Sequence, residues 1–563
     1  MNPGTRLREQ LERIVAELAG AEVPVQLERP RNPEHGDLAT NVALALAGRL
    51  GQPPRKIAES IVERLDAAAA GLSAVEIAGP GFINFRFADT VLQSLLARIV
   101  DADRSWGRGT VGEGRRIQVE FVSANPTGPL HVAHGRGAAL GDAIASLLEW
   151  TGHDVYREFY VNDAGVQIER LGNSLEVRWR QHRGEDVALP EDGYRGEYLI
   201  DLAREADAEA GAELERMSLD ERRAWLSDWA KKRLLAEQDR DLREFRVRFD
   251  EFYPESRLYE EGKVEETLRE LADRGLSYES EGAVWLRTTM FGDDKDRVLV
   301  KSDGSYTYFT PDIAYHREKA RRGFDRAIDV WGADHHGYIP RMKAALAALG
   351  LPDFLEVEIV QIVRILRGGK EVRLSKRSGE FVTLRELFEE AGVDVTRYFF
   401  LMRSGDAQMV FDLDLALDHS EKNPVFKVQY AHARMKSILR KAGIEPEQVT
   451  TEGVDLSVLE TEAEQALIKQ LALFPEVVER AADARAPHMV CEYLETTAGF
   501  VNSWYHAGNP SRNPQLAVLV DDPALRAARL VLTRAIAIVL RNGLELLGLT
   551  APERMEREEA VSA

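Results

Sequence analysis

Two short segments, far apart in the chain, carry residue types that can bind and stabilise phosphate. His131 and His134 are imidazoles three residues apart and are followed by Gly135, whereas residues 373–379 are basic and rich in Ser and Gly. Imidazoles can supply directed donors, and Lys376 supplies a compact positive charge. Donors aimed at the charge that builds on a transferring phosphate stabilise it by about a few kcal/mol. Together the two segments predict an ATP site that supports adenylate chemistry.

The residues around the two histidines predict a strand that leads into a helix. Ile117, Val119 and Phe121 alternate with polar residues, as in a half-buried strand, and residues 125–129 break that strand. Helix formers run through residues 131–151, so the histidines stand at a helix N-terminus, where unpaired N–H groups and the helix dipole favour phosphate. Taken alone, an H-x-x-H pair could equally be a helix cap and a packed ring.

The second segment is predicted to be a loop between a strand and another helix. Apolar residues from 357 to 365 read as strand, Gly368 and Gly369 as a tight turn, and residues 383–386 as a capping box that opens an amphipathic helix. The small residues between them would let the backbone close over a phosphate near Lys376. Taken alone, the segment could also be a solvated basic loop.

The periodicity of the whole chain predicts three regions and a multidomain α/β fold. Residues 1–112 combine helical patterns with an alternating hairpin, which indicates an α+β domain. In residues 113–422 strands alternate with helices, as in a Rossmann-like parallel sheet, and residues 173–275 interrupt that pattern with a charged helical insertion. Residues 423–563 have helical periodicity and predict an all-α bundle.

Within the N-terminal region we expect three helices and one hairpin. The helical patterns cover residues 5–18, 38–50 and 54–65. The strand-like runs are residues 75–77 and 82–87, separated by a Pro-Gly turn. In such a hairpin alternate side chains face the core.

Composition restricts the class of protein. The chain has 563 residues, of which 44% are hydrophobic, so it can bury several cores. Its single cysteine, Cys491, excludes an internal disulfide and a cysteine-based zinc site, as expected in a reducing cytosol. No apolar run approaches the length of a membrane span, and residues 1–20 lack the apolar core of a signal peptide. We therefore expect a soluble cytoplasmic protein without membrane contact.

The net charge of -21 conflicts, as a total, with a nucleic-acid partner. Acidic residues concentrate in residues 184–261 and in the C-terminal third, whereas basic clusters occur at residues 319–326 and 436–441. Those clusters could form local strips for phosphates, or they could be ordinary solvated helix surface. Nucleic-acid binding through them is expected to weaken with salt.

The paired segments resemble the HIGH and KMSKS signatures of class I aminoacyl-tRNA synthetases, and the residues around them are similar to arginyl-tRNA synthetases in particular. The similarity is carried by residues 120–131 (EFVSANPTGPLH), 159–165 (FYVNDAG), 332–338 (GADHHGY) and 551–555 (APERM). It extends from the N-terminal region to the C-terminus and so covers nearly the whole chain.

The chain departs from both signatures. Ala133 stands where Gly is usual, and Arg373 and Leu374 stand where Lys and Met are usual. A methyl group at position 133 could crowd ATP, although Ala keeps the helix start intact. Arg in place of Lys preserves charge but not geometry, so the role of position 373 is less defined than that of Lys376.

Arginine makes a definite demand on its pocket, because a guanidinium is planar and always charged and needs carboxylates aimed in its plane. The resemblance implies that the arginine-binding residues are Glu120, Ser123, Asn125, Tyr308 and Asp312. Tyr308 and Asp312 are four residues apart, which would bring them together if Pro311 opens a helix. Asp312 could instead be a helix N-terminal carboxylate, and Tyr308 a packed ring.

The resemblance also implies the residues that act on ATP. His131, His134 and Lys376 are the expected catalytic residues, and the expected ATP-binding residues are Gly135, Gly332, Asp334, His335, Ser375 and Lys376. Residues 332–337 follow an apolar run, at the carboxyl end of a predicted strand, where open α/β sheets bind nucleotides. They also resemble a metal patch, but ligands at adjacent positions are poor geometry for zinc. We therefore expect no metal bound by the protein itself.

The tRNA contacts implied by the resemblance lie in the outer domains. Residues 1–112 would meet the D-loop of the tRNA through an aromatic ring, Phe82, and an amide, Asn84. Residues 423–563 would bind the anticodon arm through a helix that carries Gln429, Tyr430, His432 and Arg434. An alternating hairpin with Phe82 in the core is the structural alternative, and the sequence does not say which helix residues face outward.

The activity implied by the resemblance is ATP-dependent activation of L-arginine, followed by transfer to the 3′-terminal adenosine of tRNA(Arg). Mg²⁺ on the ATP phosphates, no zinc and a monomeric state are expected with it. A synthetase for cysteine or glutamate would share both signatures, although the acidic Glu120 and Asp312 argue against both. A tRNA-binding relative without full catalytic power is the other alternative, because Ala133 and Arg373 alter the signatures.

Overall fold

The computed structural model describes residues 3–28, 30, 32–163, 165–372 and 382–555. Ser375 and Lys376, predicted above to bind ATP, lie outside the described residues. The strands are β1 (Leu38–Thr40), β2 (Leu72–Ala78), β3 (Phe82–Phe87), β4 (Arg116–Glu120), β5 (Asp154–Val161), β6 (Glu251–Pro254), β7 (Ser277–Ser280), β8 (Ala283–Leu286), β9 (Arg297–Val300), β10 (Arg326–Gly332), β11 (Leu355–Val360), β12 (Val363–Arg367), β13 (Lys370–Val372) and β14 (Met409–Asp412).

Helices alternate with these strands up to β14, and the elements after β14 are all helical in the described residues. The helices are α1 (Pro3–Ala19), α2 (Val42–Leu50), α3 (Pro54–Arg64), α4 (Asp89–Ala102), α5 (Val132–Trp150), α6 (Val166–His182), α7 (Tyr198–Arg216), α8 (Leu219–Glu244), α9 (Ser256–Glu260), α10 (Lys263–Asp273), α11 (Phe309–Arg321), α12 (Ile339–Ala348), α13 (Leu384–Ala391), α14 (Val393–Leu401), α15 (Leu413–Ala416), α16 (Pro424–Lys441), α17 (Glu462–Ala472), α18 (Phe474–Asp483), α19 (His488–Ala507) and α20 (Pro523–Leu546). None of the described helices combines the length and the apolar composition that a membrane crossing needs.

The chain packs into two compact units. One consists of Met1–Trp106, Ala431–Phe474 and Thr497–Leu540, and the other of Gly107–Tyr430, Pro475–Thr496 and Arg541–Ala563. In the first unit, an antiparallel sheet of order β1-β3-β2 shares its core with α1, α2 and α3. Also in that unit, the Lys469 ammonium lies 2.7 Å from Asp37.

The second unit is built on a parallel sheet whose described strands follow the order β11-β10-β4-β5-β6. From β4, the strands that come next in the chain, β5 and β6, are added on one side, whereas β10 and β11 are added on the other side. The order in which strands are added therefore reverses between β4 and β10. Such a switch point leaves a crevice at the carboxyl ends of the two middle strands. The predicted α/β class, with its N-terminal α+β region and C-terminal helices, is confirmed.

Two local expectations were wrong. Residues 38–40 form the edge strand β1 rather than the start of a helix, because Ala39 and Thr40 pair with β3. Within residues 173–275, the short strand β6 joins the main sheet beside β5, so this stretch is not wholly helical. The helices α6 to α8, of which α6 begins before residue 173, have a core of their own that includes Leu175, Leu199 and Leu226.

Helix α5 is held tightly against the sheet and against later helices. Gly141 lies so close to Phe121 that a Cβ atom would be 2.2 Å from the ring, and a Cβ on Gly135 would be 2.5 Å from Leu384. Thr383 forms the predicted capping box with Glu386 at the start of α13. Small residues on α5 therefore permit the close approach of the elements around the predicted ATP site.

A fully buried arginine joins four segments of the second unit. The Arg397 guanidinium, on α14, donates to Asp142 Oδ2 at 2.6 Å, to the Phe245 carbonyl at 2.9 Å and to the Leu547 carbonyl at 3.0 Å. Gly548 has a φ of +74°, and a Cβ there would be 2.2 Å from the same guanidinium. Arg397 thus satisfies polar groups from α5, from the end of α8 and from the C-terminal segment.

We predict that Arg397→Leu lowers the free energy of unfolding by about 3 to 5 kcal/mol, because it leaves a buried carboxylate and two carbonyls without their donor. Arg367→Leu is the matched control, since Arg367 pairs at the surface with Glu390 and such pairs contribute about 0 to 1 kcal/mol. Urea denaturation of both variants measures the difference. Equal losses would contradict the role of Arg397.

Candidate active site

A cavity of about 220 Å³ opens at the switch point of the sheet. Its walls come from the carboxyl ends of β4, β5 and β10 and from α11 and α12. They include Glu120, Val122, Ser123, Tyr160, Asp312, Tyr315, His316, Asp329, Val330, Trp331, Gly332, His335, Tyr338 and Met342. Glu120, Ser123, Asp312, Gly332 and His335, all predicted from the sequence, meet here.

Three acidic residues stand side by side across the sheet. Glu120 on β4 is in register with Asp329 on β10 and with Glu158 on β5. Like charges at opposed strand positions repel one another. Two cations on α11 and just after it relieve this repulsion: Lys319 Nζ lies 2.6 Å from Glu120 and 2.8 Å from Asp329, and Arg322 lies 2.6 Å from Glu158.

Burial and the nearby cations have opposite effects on the pKa values of these acidic residues. Burial raises the pKa of Glu120, and the Lys319 ammonium opposes that shift. Burial alone would also raise the pKa of Asp329, but Lys319 and His316 outweigh it and lower that pKa to about 2. Burial works against a charged Lys319, yet Asp329 and Glu120 raise its pKa. Lys319 therefore remains a cation between two carboxylates.

Asp312, in contrast, forms no ion pair with a Lys or Arg in the described part of the chain, although His316 and His335 lie near enough to oppose a rise of its pKa. Its Oδ2 accepts a hydrogen bond of 2.6 Å from the Tyr338 hydroxyl. Burial raises the pKa of this carboxyl, and the Tyr338 hydroxyl opposes the shift. Tyr308, the predicted partner of Asp312, caps α11 with a side chain that is 82% exposed, outside the cavity wall. Tyr338 thus occupies the place beside Asp312.

The segment between β4 and α5 begins with a sharp turn. Val122 and Ser123 have φ values of 68° and 40°, which non-glycine residues rarely adopt. Ser123 Oγ donates to Glu120 Oε1 at 2.9 Å and accepts from the Tyr160 N–H at 3.1 Å, so the turn is fixed to two strands. Asn125 is exposed, does not line the cavity, and donates to Gln167.

His131 and His134 form a stacked pair where α5 begins. Their ring centroids are 3.6 Å apart, and His131 is the residue immediately before the first turn. The His131 N–H donates to Nδ1 of His134 at 3.4 Å, so a neutral His134 carries its proton on Nε2. Burial lowers the pKa of His131, and burial with the nearby His131 lowers that of His134 to about 3. Both rings are therefore neutral donors.

The start of α5 is bonded to the residues that precede α13. The Leu384 N–H donates to the Leu130 carbonyl at 2.8 Å, the Val132 N–H donates to the Val382 carbonyl at 3.3 Å, and His131 pairs with Thr383. The two signature segments are neighbours in sequence to these contacts. The second segment, residues 373–379, lies outside the described residues; the residues that follow it, 382–384, contact the start of α5.

Gly332, Asp334 and His335 lie where β10 ends and a short 3-10 helix, Ala333–Tyr338, begins. A Cβ on Gly332 would be 2.6 Å from Asp334 Oδ1, so the absence of a side chain keeps this approach possible. The side chains of Asp334 and His335 are exposed and 3.5 Å apart. This edge of the cavity therefore offers polar groups to solvent rather than to the core.

Glu120, His316 and Asp329 bring ligand atoms within 4.8 Å of one another, an arrangement that could hold a metal ion. The Lys319 ammonium already bonds to both carboxylates, and His316 Nε2 lies 2.8 Å from Asp329. A metal ion would have to displace the ammonium. The expectation that the protein itself binds no metal stays a prediction.

The two N-terminal residues predicted to bind tRNA differ in exposure. Phe82 is 42% exposed on β3, outside the core that the structural alternative required. Asn84, on the same strand, is buried. Only Phe82 therefore presents its side chain to a partner in this conformation.

The predicted anticodon-arm residues on α16 are largely committed to contacts within the protein. Gln429 is buried and donates to Asp394 at 2.7 Å, and Arg434 is buried, donates to Asn502 at 2.5 Å and covers the Tyr505 ring. Half-buried Tyr430 stacks on Phe426, with 5.6 Å between centroids, and His432 is buried. Contact with RNA through Gln429 or Arg434 requires a rearrangement.

Several residues of the site, Lys319 and Tyr338 among them, escaped the sequence analysis. Lys319 was grouped with the basic cluster 319–326, expected as a phosphate strip or solvated surface, but its side chain is fully buried between acids. Tyr338 was not predicted beside Asp312. A signal for Lys319 did exist, because Asp312, His316 and Lys319 recur at helical spacing and so share one face of α11.

Three family models match the chain. The "Arginyl tRNA synthetase N terminal domain" matches residues 5–87, "tRNA synthetases class I (R), catalytic domain" matches residues 96–403, and "DALR anticodon binding domain" matches residues 428–555. The second match alone spans more than half of the chain and contains the cavity, the histidine pair and α13.

The relatives extend over nearly the full length. The arginine–tRNA ligase of Geobacillus thermodenitrificans is 48% identical over 557 residues, covering 98% of each chain, and that of Syntrophotalea carbinolica is 50% identical over 533 residues, covering 94% of this chain and 95% of its own. The arginyl-tRNA synthetase of Thermus thermophilus has a TM-score of 0.79 at 25% identity, covering 98% of this chain and all of its own. The chain therefore belongs to the arginyl-tRNA synthetase family of class I tRNA synthetases.

Proposed function

We propose that this chain is an arginine–tRNA ligase, which joins L-arginine to tRNA(Arg) and converts ATP to AMP and diphosphate. The charge of the cavity carries the proposal. Among the described residues, the carboxylates of Glu120, Asp312 and Asp329 face one ammonium, that of Lys319. Even when His316 is counted as a cation, the carboxylates are in excess. A guanidinium brings both the missing charge and a planar set of donors.

The reaction proceeds in two steps that the site can position. Mg²⁺–ATP is the substrate complex, with its phosphates at the N-terminus of α5 and its adenosine beside Gly332, Asp334 and His335. An oxygen of the arginine carboxylate attacks the α-phosphorus, the bond to the bridging oxygen breaks, and diphosphate leaves. The 2′-hydroxyl of the terminal adenosine of tRNA then attacks the arginyl carbonyl, and AMP leaves. The hydroxyl proton departs with the leaving group or to water.

The residues of the chain act by positioning and by charge stabilisation. Ser123, at the mouth of the turn after β4, lines the cavity and holds the backbone end of arginine. The neutral rings of His131 and His134 donate to the phosphate oxygens, and Lys376 adds a positive charge. No protein nucleophile is required, because the substrate carboxylate itself attacks.

For tRNA we propose the division of labour that the domain boundaries 1–112, 113–422 and 423–563 imply. The N-terminal domain reads the D-loop, where the exposed Phe82 offers a stacking surface. The C-terminal helical domain binds the anticodon arm. We further propose a cytoplasmic monomer whose only metal requirement is the Mg²⁺ that accompanies ATP.

The proposal is tested by the exchange of labelled diphosphate into ATP, measured with arginine, cysteine or glutamate, and with or without tRNA(Arg). We expect exchange with arginine alone of the three and a strong increase when tRNA is present. Exchange with cysteine or glutamate would establish another specificity. Absence of exchange with every amino acid, but with tRNA bound in a filter assay, would establish a non-catalytic relative.

We predict that Asp312→Asn weakens the binding of arginine by roughly 2 to 5 kcal/mol, because it removes the carboxylate that has no other cation. The KM for arginine in the exchange assay should rise while that for ATP changes little, and citrulline, a neutral isostere, should compete better than with the wild type. Asp303→Asn is the control, since Asp303 bonds only locally to Ser305 in an exposed turn. An unchanged preference for arginine over citrulline would contradict the assignment.

A second prediction concerns pH. Because the pKa of His134 is lowered to about 3, the ring stays a neutral donor, and His134→Ala should reduce kcat by about 10²-fold at every pH above about 5. The pH profiles of variant and wild type should therefore be parallel. Loss of an ionisation near pH 6.5 in the variant would contradict a neutral His134.

The lowered pKa of His134 also makes the stability of the folded chain depend on pH. The unfolded chain takes up a proton on His134 near its ordinary pKa of 6.5, whereas the folded chain does so only at about 3. The stability linked to this group is therefore complete above 6.5 and is lost as the pH falls towards 3. Denaturation curves of wild type and His134→Ala should converge as the pH falls through this window.

A further inference from the structure

We infer that the helical insertion α6 to α8 positions the active site, and that Gln238 on α8 is a positioning residue for adenylate formation. This inference rests on the proposed function. It assigns a task to a part of the chain for which the sequence offered none.

Gln238 holds the segment that connects β4 to α5. Its side chain is 1% exposed, and Nε2 donates to the carbonyls of Asn125, at 3.0 Å, and Gly128, at 2.8 Å. One amide thus fixes two points on the backbone between the arginine-binding turn and His131. A buried glutamine used only for packing would not need to reach two carbonyls of the same segment.

Helix α7 of the insertion supplies a third donor to that segment. The Tyr198 hydroxyl donates to the Thr127 carbonyl at 2.6 Å. Three carbonyls within four residues therefore accept hydrogen bonds from insertion side chains, and that of Asn125 also accepts from the Thr127 N–H at 2.8 Å. The segment begins with two left-handed residues, Val122 and Ser123, so external bonds are needed to keep it in one conformation.

The same face of α8 also bonds to helix α13. Asp241 follows Gln238 by three residues, lies on the same face and accepts two hydrogen bonds from Arg385, at 2.6 Å and 2.9 Å. Arg385 is in the first turn of α13, whose capping residue Thr383 pairs with His131. Helix α8 thus bonds both to the segment that leads into α5 and to helix α13, whose starts are joined by the pairing of His131 with Thr383.

The consequence is geometric precision at the histidines. Displacement of reacting groups by about 1 Å can reduce a rate by about 10²-fold even when the substitution is remote. Gln238 does not line the cavity, and its amide bonds to the backbone that leads to the histidines, so it acts through that backbone. Its loss is expected to alter kcat more than the KM for arginine, because Glu120 and Asp312 keep their own supports.

Gln238→Met removes both hydrogen bonds while it preserves most of the side-chain volume. Gln181→Met is the matched control, because Gln181 is also in the insertion and also donates to a carbonyl, that of Val187, away from the site. For Gln238→Met we expect kcat of arginine-dependent diphosphate exchange to fall by about 10²-fold, with less than about a threefold change in the KM for arginine. Gln181→Met should keep wild-type kinetics.

The outcomes separate the alternatives. Wild-type kinetics in Gln238→Met, or equal losses in both variants, would overturn the inference. If Gln238→Met does not fold, Tyr198→Phe decides, since it deletes the donor to Thr127 while it keeps the ring, and it should lower kcat by about tenfold without a change in Tm; unchanged kcat in that variant would also overturn the inference. Absence of exchange in the wild type would instead refute the proposed function, so the two failures are distinguishable.

Discussion

The site depends on one buried ammonium. Glu120 and Asp329 are neighbours on adjacent parallel strands, and without a cation between them their carboxylates would repel each other in a region with little water. Lys319 lies within 2.8 Å of both. Removal of one partner from such a buried set typically costs about 3 to 5 kcal/mol, so Lys319 holds β4 and β10 in register as well as neutralising charge. The cavity lies where β4 and β10, which Lys319 holds together, end side by side.

The division of charge around this ammonium explains how the pocket can select a cation. The two carboxylates at the sheet share the Lys319 ammonium, whereas among the described residues the Asp312 carboxylate, across the cavity, accepts its hydrogen bond from the uncharged Tyr338 hydroxyl. A guanidinium that enters would therefore find one carboxylate that is still uncompensated. Selectivity then arises from the position of that carboxylate rather than from the total number of acids, and a neutral isostere lacks the charge to satisfy it.

The sequence predicted the secondary structure that follows from local periodicity, but it could not predict contacts that depend on how the strands are paired. The parallel sheet, the helix after His131 and the capping box at Thr383 follow from local periodicity, and all three are present. Strand β1 was predicted as helix because Leu38 and Ala39 are good helix formers that precede the helical pattern of α2, and only the pairing with β3 shows that they form a strand. Likewise Lys319 reads as surface charge until the register of β4 and β10 brings two acids to its side chain. For the same reason the sequence could not show that Tyr338, rather than Tyr308, lies beside Asp312, since tertiary packing sets those distances.

The point at which the strand pairing of β4 ends also explains why the insertion contributes to the site. A parallel strand that ends at a ligand leaves its following segment without ladder partners, so the carbonyls of residues 125, 127 and 128 must find donors elsewhere. The sheet cannot supply them, because β10 and β5 pair with β4 only up to Glu120. Gln238 and Tyr198 supply them from the insertion. A helix that satisfies the backbone between a substrate pocket and a phosphate-binding helix fixes their separation, and that separation decides whether the carboxylate and the α-phosphorus meet in line.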